Sequence, residues 1–122
     1  MEYFVILNYV HITYLNVFYI NDFNVIFMLQ TVVIPGEKAS VTRLAASPNE
    51  THIAVGYADG NVKIFDVNTT ENVCTFSGHK SAITALTFDQ DGTRLASGSK
   101  VSMKIFDYDN TSRLKTKSLH FL

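Results

Sequence analysis

An all-β fold is predicted, built from antiparallel four-stranded blades of a propeller in tandem and incomplete, with about one full blade plus part of a second. Three observations predict it. A block of about 42 residues occurs twice: Gly36-Glu37-Lys38-Ala39-Ser40-Val41-Thr42-Arg43-Leu44 returns as Gly78-His79-Lys80-Ser81-Ala82-Ile83-Thr84-Ala85-Leu86. Lys63-Ile64-Phe65-Asp66 likewise returns as Lys104-Ile105-Phe106-Asp107. Between these markers lie short apolar segments separated by Gly, Asp, Asn and Pro clusters, the pattern of strands joined by tight turns. A period of about 40–45 residues ending in an aromatic-Asp pair marks one propeller blade, which must bury its two faces against neighbours.

Residues 1–31 form a hydrophobic N-terminal segment outside the repeat. The first thirty contain no Gly, Ala, Pro, Ser, Lys or Arg, and no charge occurs from Tyr3 to Asn21. That length could cross a bilayer. Asn8, His11, Thr13, Asn16 and Asn21 punctuate it, however, and each would need a polar partner in hydrocarbon. No basic stretch precedes it and no small-residue cleavage site follows, so it is a poor secretory signal. Its aromatic and β-branched content favours extended structure, and its low charge favours aggregation. Three origins stay open: translated A/T-rich non-coding sequence, an extra strand or helix packed on the domain, or a membrane anchor.

Residues 32–77 make the first blade. Val41 to Ser47 reads as a strand closed by Ser47-Pro48-Asn49-Glu50, and His52 to Tyr57 as the next. Ala58-Asp59-Gly60-Asn61 carries an Asp-Gly pair and predicts a type I′ hairpin turn, with positive φ at both central residues. Val62 to Val67 is the third strand, Asn68 to Glu71 a turn, and Asn72 to Phe76 the fourth strand. Residues 78–109 are the second blade, read as damaged. Ala82 to Phe88 and Thr93 to Ser99 are strands about the turn Asp89-Gln90-Asp91-Gly92. The hairpin then lacks one residue and its Asp-Gly, and a primed turn on Val101 and Ser102 would be strained. Residues 110–122 are a tail in which Leu114 to Phe121 is the candidate for a fourth strand. Gly56 and Gly98 fall at equivalent strand positions, as expected where a narrow central channel crowds the backbone.

The chain has 122 residues and a net charge of −1, so nothing global points to nucleic acid or a strongly charged partner. Its single cysteine, Cys74, forms no internal disulfide and reads as a small apolar filler. No catalytic, cofactor-binding or metal site is expected. His11, His52, His79 and His120 lack metal-ligand spacing with Cys, Asp or Glu, and no Gly-rich phosphate loop or Gly-flanked Ser occurs. Asp89 and Asp91 read as turn chemistry, and Arg113, Lys115 and Lys117 as a solvated tail. Asn49, Asn68 and Asn110 each open a glycosylation pattern, and read as turn-favouring residues.

The repeat resembles the WD-repeat family of β-propellers over roughly residues 32–100. In that family a His before the first strand, a Ser or Thr in the second, an Asp at the hairpin and a Trp in the third form a buried hydrogen-bond network. His79 and Ser97 match two of those places in the second copy, where the Asp is absent and Phe106 replaces the Trp. In the first copy Asp59 is present, but Glu37, Val55 and Phe65 replace the other three. Val41 to Pro48, His52 to Gly60, Gly78 to Thr84 and Arg94 to Lys100 are similar to one branch, the nucleolar tandem-propeller scaffolds of the small-subunit processome. The resemblance implies a non-enzymatic protein-interaction scaffold fragment in the nucleus and nucleolus, acting in pre-rRNA processing and ribosome biogenesis. It also implies other proteins of a large assembly as partners, small nucleolar ribonucleoprotein and pre-rRNA met indirectly, and no cofactor or small-molecule substrate. The alternatives are a membrane-tethered β-rich protein or a non-functional truncated gene product. Repeat arrays need three or more units to bury their faces, so the isolated chain is expected to be marginally stable.

Overall fold

The computed structural model describes the backbone of residues 2–6, 9–21, 24–34, 36–107 and 115–120, and the side chains of 2–5, 9–13, 31, 33, 34 and 36–106. Among the described residues all of the regular structure is strand, in three antiparallel sheets. The first sheet contains β1 (Glu2–Ile6), β2 (Tyr9–Asn21) and β3 (Asn24–Ile34) in that order. The first blade contains β4 (Val41–Ala46), β5 (His52–Tyr57), β6 (Val62–Asp66) and β7 (Asn72–Phe76), also in chain order. The second contains β8 (Ile83–Phe88), β9 (Arg94–Ser99), β10 (Ser102–Asp107) and β11 (Lys115–His120), again meandering. The lead strands adjoin from sheet to sheet, β1 on β4 and β4 on β8.

Two apolar cores lie on opposite faces of the first blade. Along a strand successive side chains point to opposite faces, so a sheet held between two neighbours is apolar on both. One face gives Ala45, Ala54, Val62, Ile64, Cys74 and Phe76 to a core shared with Ile83, Leu95 and Phe106 of the second blade. The other gives Ile53, Val55, Tyr57, Phe65 and Val67 to a core shared with Val10, Ile12 and Ile34 of the first sheet. The N-terminal segment therefore stands where a preceding blade would stand. Its uncharged run from Tyr3 to Asn21 lies in β1, β2 and the residues between them; no helix among the described residues is long and apolar enough to cross a membrane.

Three local expectations are corrected. The Asp59-Gly60 turn is not type I′, because only Gly60 has positive φ, at 90°. The Gly60 N–H donates to the Tyr57 carbonyl and the Tyr57 N–H to the Asn61 carbonyl. This is a three-residue hairpin loop with the glycine bulge that loops of that length adopt. The second hairpin is not lost. β9 and β10 pair from Gly98–Met103 to Arg94–Asp107, joined through Lys100 and Val101, neither of which has positive φ. The deletion removed the bulge residue, and with it the need for a left-handed conformation. Finally, crowding at Gly56 comes from the next blade rather than a central channel: a Cβ there would lie 2.6 Å from Ile83 Cγ2.

Candidate functional site: the seam between the blades and the His79 network

The best-defined polar architecture lies where the second blade meets the first. The Thr42 hydroxyl sits 3.2 Å from the Gly56 carbonyl within its own sheet and 2.7 Å from the Ile83 carbonyl across the seam. Arg43 Nε donates to the Thr84 carbonyl at 2.9 Å, and its Nη1 returns to the Thr42 carbonyl at 2.7 Å. Gly60 packs its bare Cα against the backbone of His79, so an added Cβ would fall on the His79 carbonyl oxygen and 2.9 Å from its carbon. Phe76 and Phe106 close the seam, ring centroids 4.0 Å apart. The first hairpin thus rests on the loop that carries His79.

His79 is buried and satisfied at both nitrogens: Nε2 lies 2.7 Å from Ser97 Oγ and Nδ1 2.9 Å from Ser102 Oγ. The Ser102 hydroxyl in turn meets Ser99 Oγ at 3.1 Å, so four buried polar side chains form one chain. A neutral imidazole suits this arrangement, since one ring nitrogen can donate and the other accept. Burial pushes the His79 pKa below its usual value, and the Lys104 cation adds to the shift. The sequence located His79 and Ser97 but missed Ser102, which serves where the family pattern has its Asp. The shortened hairpin hid it: counted backwards from Lys104, Ser102 falls opposite Asn61 and Lys100 opposite Asp59, so the alignment of the copies does not point to Ser102.

The first copy does something else at the same place. Glu37, at the position of His79, forms an ion pair with Lys63, at the position of Lys104. Lys63 also lies 5.9 Å from the centre of the Tyr57 ring. Tyr57 is buried, and burial together with Glu37 and Asp59 pushes its phenol pKa far above the usual value. Val55 fills the place of Ser97 within the apolar core.

Other singled-out residues behave as turn or core groups. Asp89 Oδ1 accepts from the Thr93 and Arg94 N–H groups, and Asn49 Oδ1 from Ser47 Oγ and Thr51 Oγ1. Asp66 Oδ1 accepts from the Asn68 and Thr69 N–H groups, which hold its carboxyl below the usual range, chiefly through Thr69. Cys74 is free and buried, and burial raises its thiol pKa. His11 stacks on Phe4, and His52 Nδ1 lies 2.8 Å from Thr51 Oγ1. Asp91 has no part in any seam contact described above. Arg113, Asn110 and the side chains of Lys115, Lys117 and His120 lie outside the described residues. Among the described residues no group of three or more His, Cys, Asp or Glu could hold a metal ion.

A shallow hollow of about 350 Å³ lies between β1 and β4, lined by Tyr3, Val5 and residues Val41 to Leu44. Its one charged group, Arg43, is spent on two backbone carbonyls, so the hollow lacks the converging polar groups of a ligand site. The second blade leaves a broader surface. Thr87, Ala96, Gly98, Met103 and Ile105 stand where Ala45, Ala54, Gly56, Val62 and Ile64 stand in the first blade, and belong to neither core.

Two family models match: the anaphase-promoting complex subunit 4 WD40 domain over residues 15–91, and the WD domain, G-beta repeat, over residues 70–113. The first match begins inside β2, so it takes in part of the N-terminal sheet. U3 small nucleolar RNA-associated protein 12 of Saccharomyces cerevisiae is 49% identical over 61 residues, which are 50% of this chain and 6% of that protein. Pre-mRNA-processing factor 19 of Oryza sativa is 31% identical over 77 residues, 63% of this chain and 15% of the relative. The chain therefore spans a small part of the relatives it matches. Among solved structures, the β-propeller domain of Myceliophteria thermophila Cps50 (Swd1) superposes with a TM-score of 0.63 at 18% identity, covering 75% of this chain and 34% of that one. U3-55K superposes with a TM-score of 0.62 at 22% identity, covering 71% and 29%. At such identities the likeness is one of fold alone.

Proposed function

Because the chain belongs to the WD40-repeat family of β-propellers, we propose that it is a segment of a protein-interaction scaffold that acts in pre-rRNA processing within the small-subunit processome. The observation that carries this reading is the 49% identity, over half of the chain, with a yeast protein named for its association with U3 small nucleolar RNA. Segments from Val41 to Lys100 also resemble early blades of WD repeat-containing protein 3. The rice relative, named for pre-mRNA processing, stands at 31%, so the repeat architecture alone does not select a pathway, and the higher identity to the yeast protein is what supports this one. On this reading the chain catalyses nothing and holds no cofactor. It presents blade surfaces and loops to protein partners, and meets U3 ribonucleoprotein and pre-rRNA through them, in the nucleolus.

The scaffold role follows from rigidity. Two cores and a hydrogen-bonded seam fix the blades relative to one another, so their loops become a preformed surface with little ordering cost on binding. Blade surfaces can carry many unrelated partners, which is why the fold by itself names none.

The test is recovery of U3 small nucleolar RNA with an epitope-tagged copy of the natural gene product. Enrichment of U3 over an abundant spliceosomal RNA, together with nucleolar staining, is the expected result. Equal recovery of both RNAs and a signal outside the nucleolus would remove the proposal.

A further inference from the structure

Comparing the three sheets strand by strand exposes a vacancy. In each blade the lead strand is followed by a second, a third and an outer fourth, and the fourth pairs antiparallel with the third: β7 with β6, β11 with β10. The N-terminal sheet has the same chain order and puts its lead strand on β4, but it stops at the third strand. Among the described residues nothing pairs with the outer edge of β3. The intervening chain cannot fill the place. Only residues 35–40 separate β3 from β4, whereas residues 67–82 separate β6 from β8 and contain β7.

The open edge is also unguarded. β3 runs 11 residues as Asn-Val-Ile-Phe-Met-Leu-Gln-Thr-Val-Val-Ile, without a charge, a proline or a glycine. Sheet edges normally avoid pairing through lysines, prolines, bulges or shortness. β3 has none of these, and it is about twice as long as β7 or β11.

We infer that a second copy of this chain fills the vacancy, its β3 pairing antiparallel with the first across a two-fold axis to give one six-stranded sheet. Orientation argues for this occupant. The missing outer strand must be antiparallel to β3, and two-fold symmetry brings two identical strands together in that sense. An uncharged strand laid against itself opposes no like charges in any register. The first blade is untouched by the pairing, because Val10, Ile12 and Ile34 keep their places in its core. The inference is independent of the pathway proposed above.

Disulfide scanning of the full chain in a Cys74→Ala background tests it. Cysteine is placed singly at each position from Asn24 to Ile34, with one control at Phe4 on β1. Two residues off a two-fold axis, like positions are four residue rises apart, about 14 Å, far beyond the roughly 7 Å limit for a disulfide. A sharp maximum in covalent dimer within β3, at least fivefold above positions four residues away, is therefore expected. Light scattering should give twice the chain mass, and Phe27→Lys with Leu29→Lys should halve it without loss of the strand signal in circular dichroism. A flat cross-linking profile would mean parallel in-register stacking, a maximum at Phe4 would mean the other edge, and a monomer at tens of micromolar would mean no pairing. Each of these three results overturns the inference.

Discussion

The two copies of the repeat use the same lysine in opposite ways. In the first blade Lys63 faces Glu37 and the two form an ion pair. In the second Lys104 sits near His79, which turns away from cation chemistry and bonds two serines instead. Judged by the family pattern, both copies are defective, one lacking its His and the other its Asp. In three dimensions each is locally satisfied, because the side chain at position 37 or 79 was matched to what β5 or β9 offers. Val55 can offer no hydrogen bond, so Glu37 pairs outward with lysine; Ser97 can, so His79 points inward.

The largest effect that would break this comparison lies at the hairpins. Gly60→Ala should destabilise the chain by about 3 kcal/mol, combining a left-handed conformation costly for alanine with overpacking against the His79 backbone. Gly56→Ala, which presses on Ile83, should cost about 2 kcal/mol. The equivalent Gly98→Ala meets only Ala85 Cβ, at 3.3 Å, and should cost under about 1 kcal/mol. Urea midpoints at constant slope measure all three; equal costs at Gly56 and Gly98 would show that the seam is not where the strain falls.

Next in size is the polar network. Ser102→Ala leaves a buried His79 nitrogen without a partner and should cost about 1–3 kcal/mol. Glu37→Gln in the first blade breaks an ion pair with an exposed carboxylate and should cost no more than about 0.5 kcal/mol. A larger loss for Glu37→Gln than for Ser102→Ala would reverse the comparison.

The same asymmetry predicts a pH dependence that begins just below pH 6.5 and arises in the second blade. The folded-state pKa of His79 lies below its unfolded value near 6.5, so the unfolded chain binds the proton more readily. Stability from this group is complete above about pH 6.5 and is lost as pH falls through the folded-state value. His79→Asn should flatten the stability curve in the range just below pH 6.5. Asp66 acts lower: its carboxyl is held down by two N–H groups, so its contribution is present above the usual carboxylate value and disappears only below it. A slope just below pH 6.5 that survives His79→Asn would assign it elsewhere.

Much of this was legible in the residues. Strands β4 to β9 fall within a residue of the sequence reading, because their apolar runs are short and end at Asp, Asn, Gly or Pro. Three features were hidden for physical reasons. The N-terminal segment is apolar almost throughout, with Asn, His and Thr scattered along it and no Gly or Pro in the first thirty residues, so nothing in it marks where its strands begin and end. Ser102 lies behind a deletion that breaks the alignment of the copies. The Gly60 bulge shares its Asp-Gly signature with the primed turn, and only the length of the loop separates the two.

The finest difference between the copies concerns one backbone angle in the first turn of each blade. Ser47 and Asp89 open equivalent turns, accepting from the His52 and Arg94 N–H groups respectively. Three residues on, the chain enters the left-handed region in both, at Glu50 with φ 60° and at Gly92 with φ 73°. Glycine adopts that conformation freely, whereas glutamate carries a strain of about 1 kcal/mol. Glycine also loses more chain entropy on folding, which offsets part of the gain, so Glu50→Gly should stabilise by about 0.5 kcal/mol. Gly92→Glu should destabilise by about 1 kcal/mol, because a Cβ there also meets Pro48 Cδ at 3.3 Å. If thermal melts move the same way for both substitutions, the sign is set by the side chain's surroundings and not by φ, and the two turns are less alike than their hydrogen bonds make them.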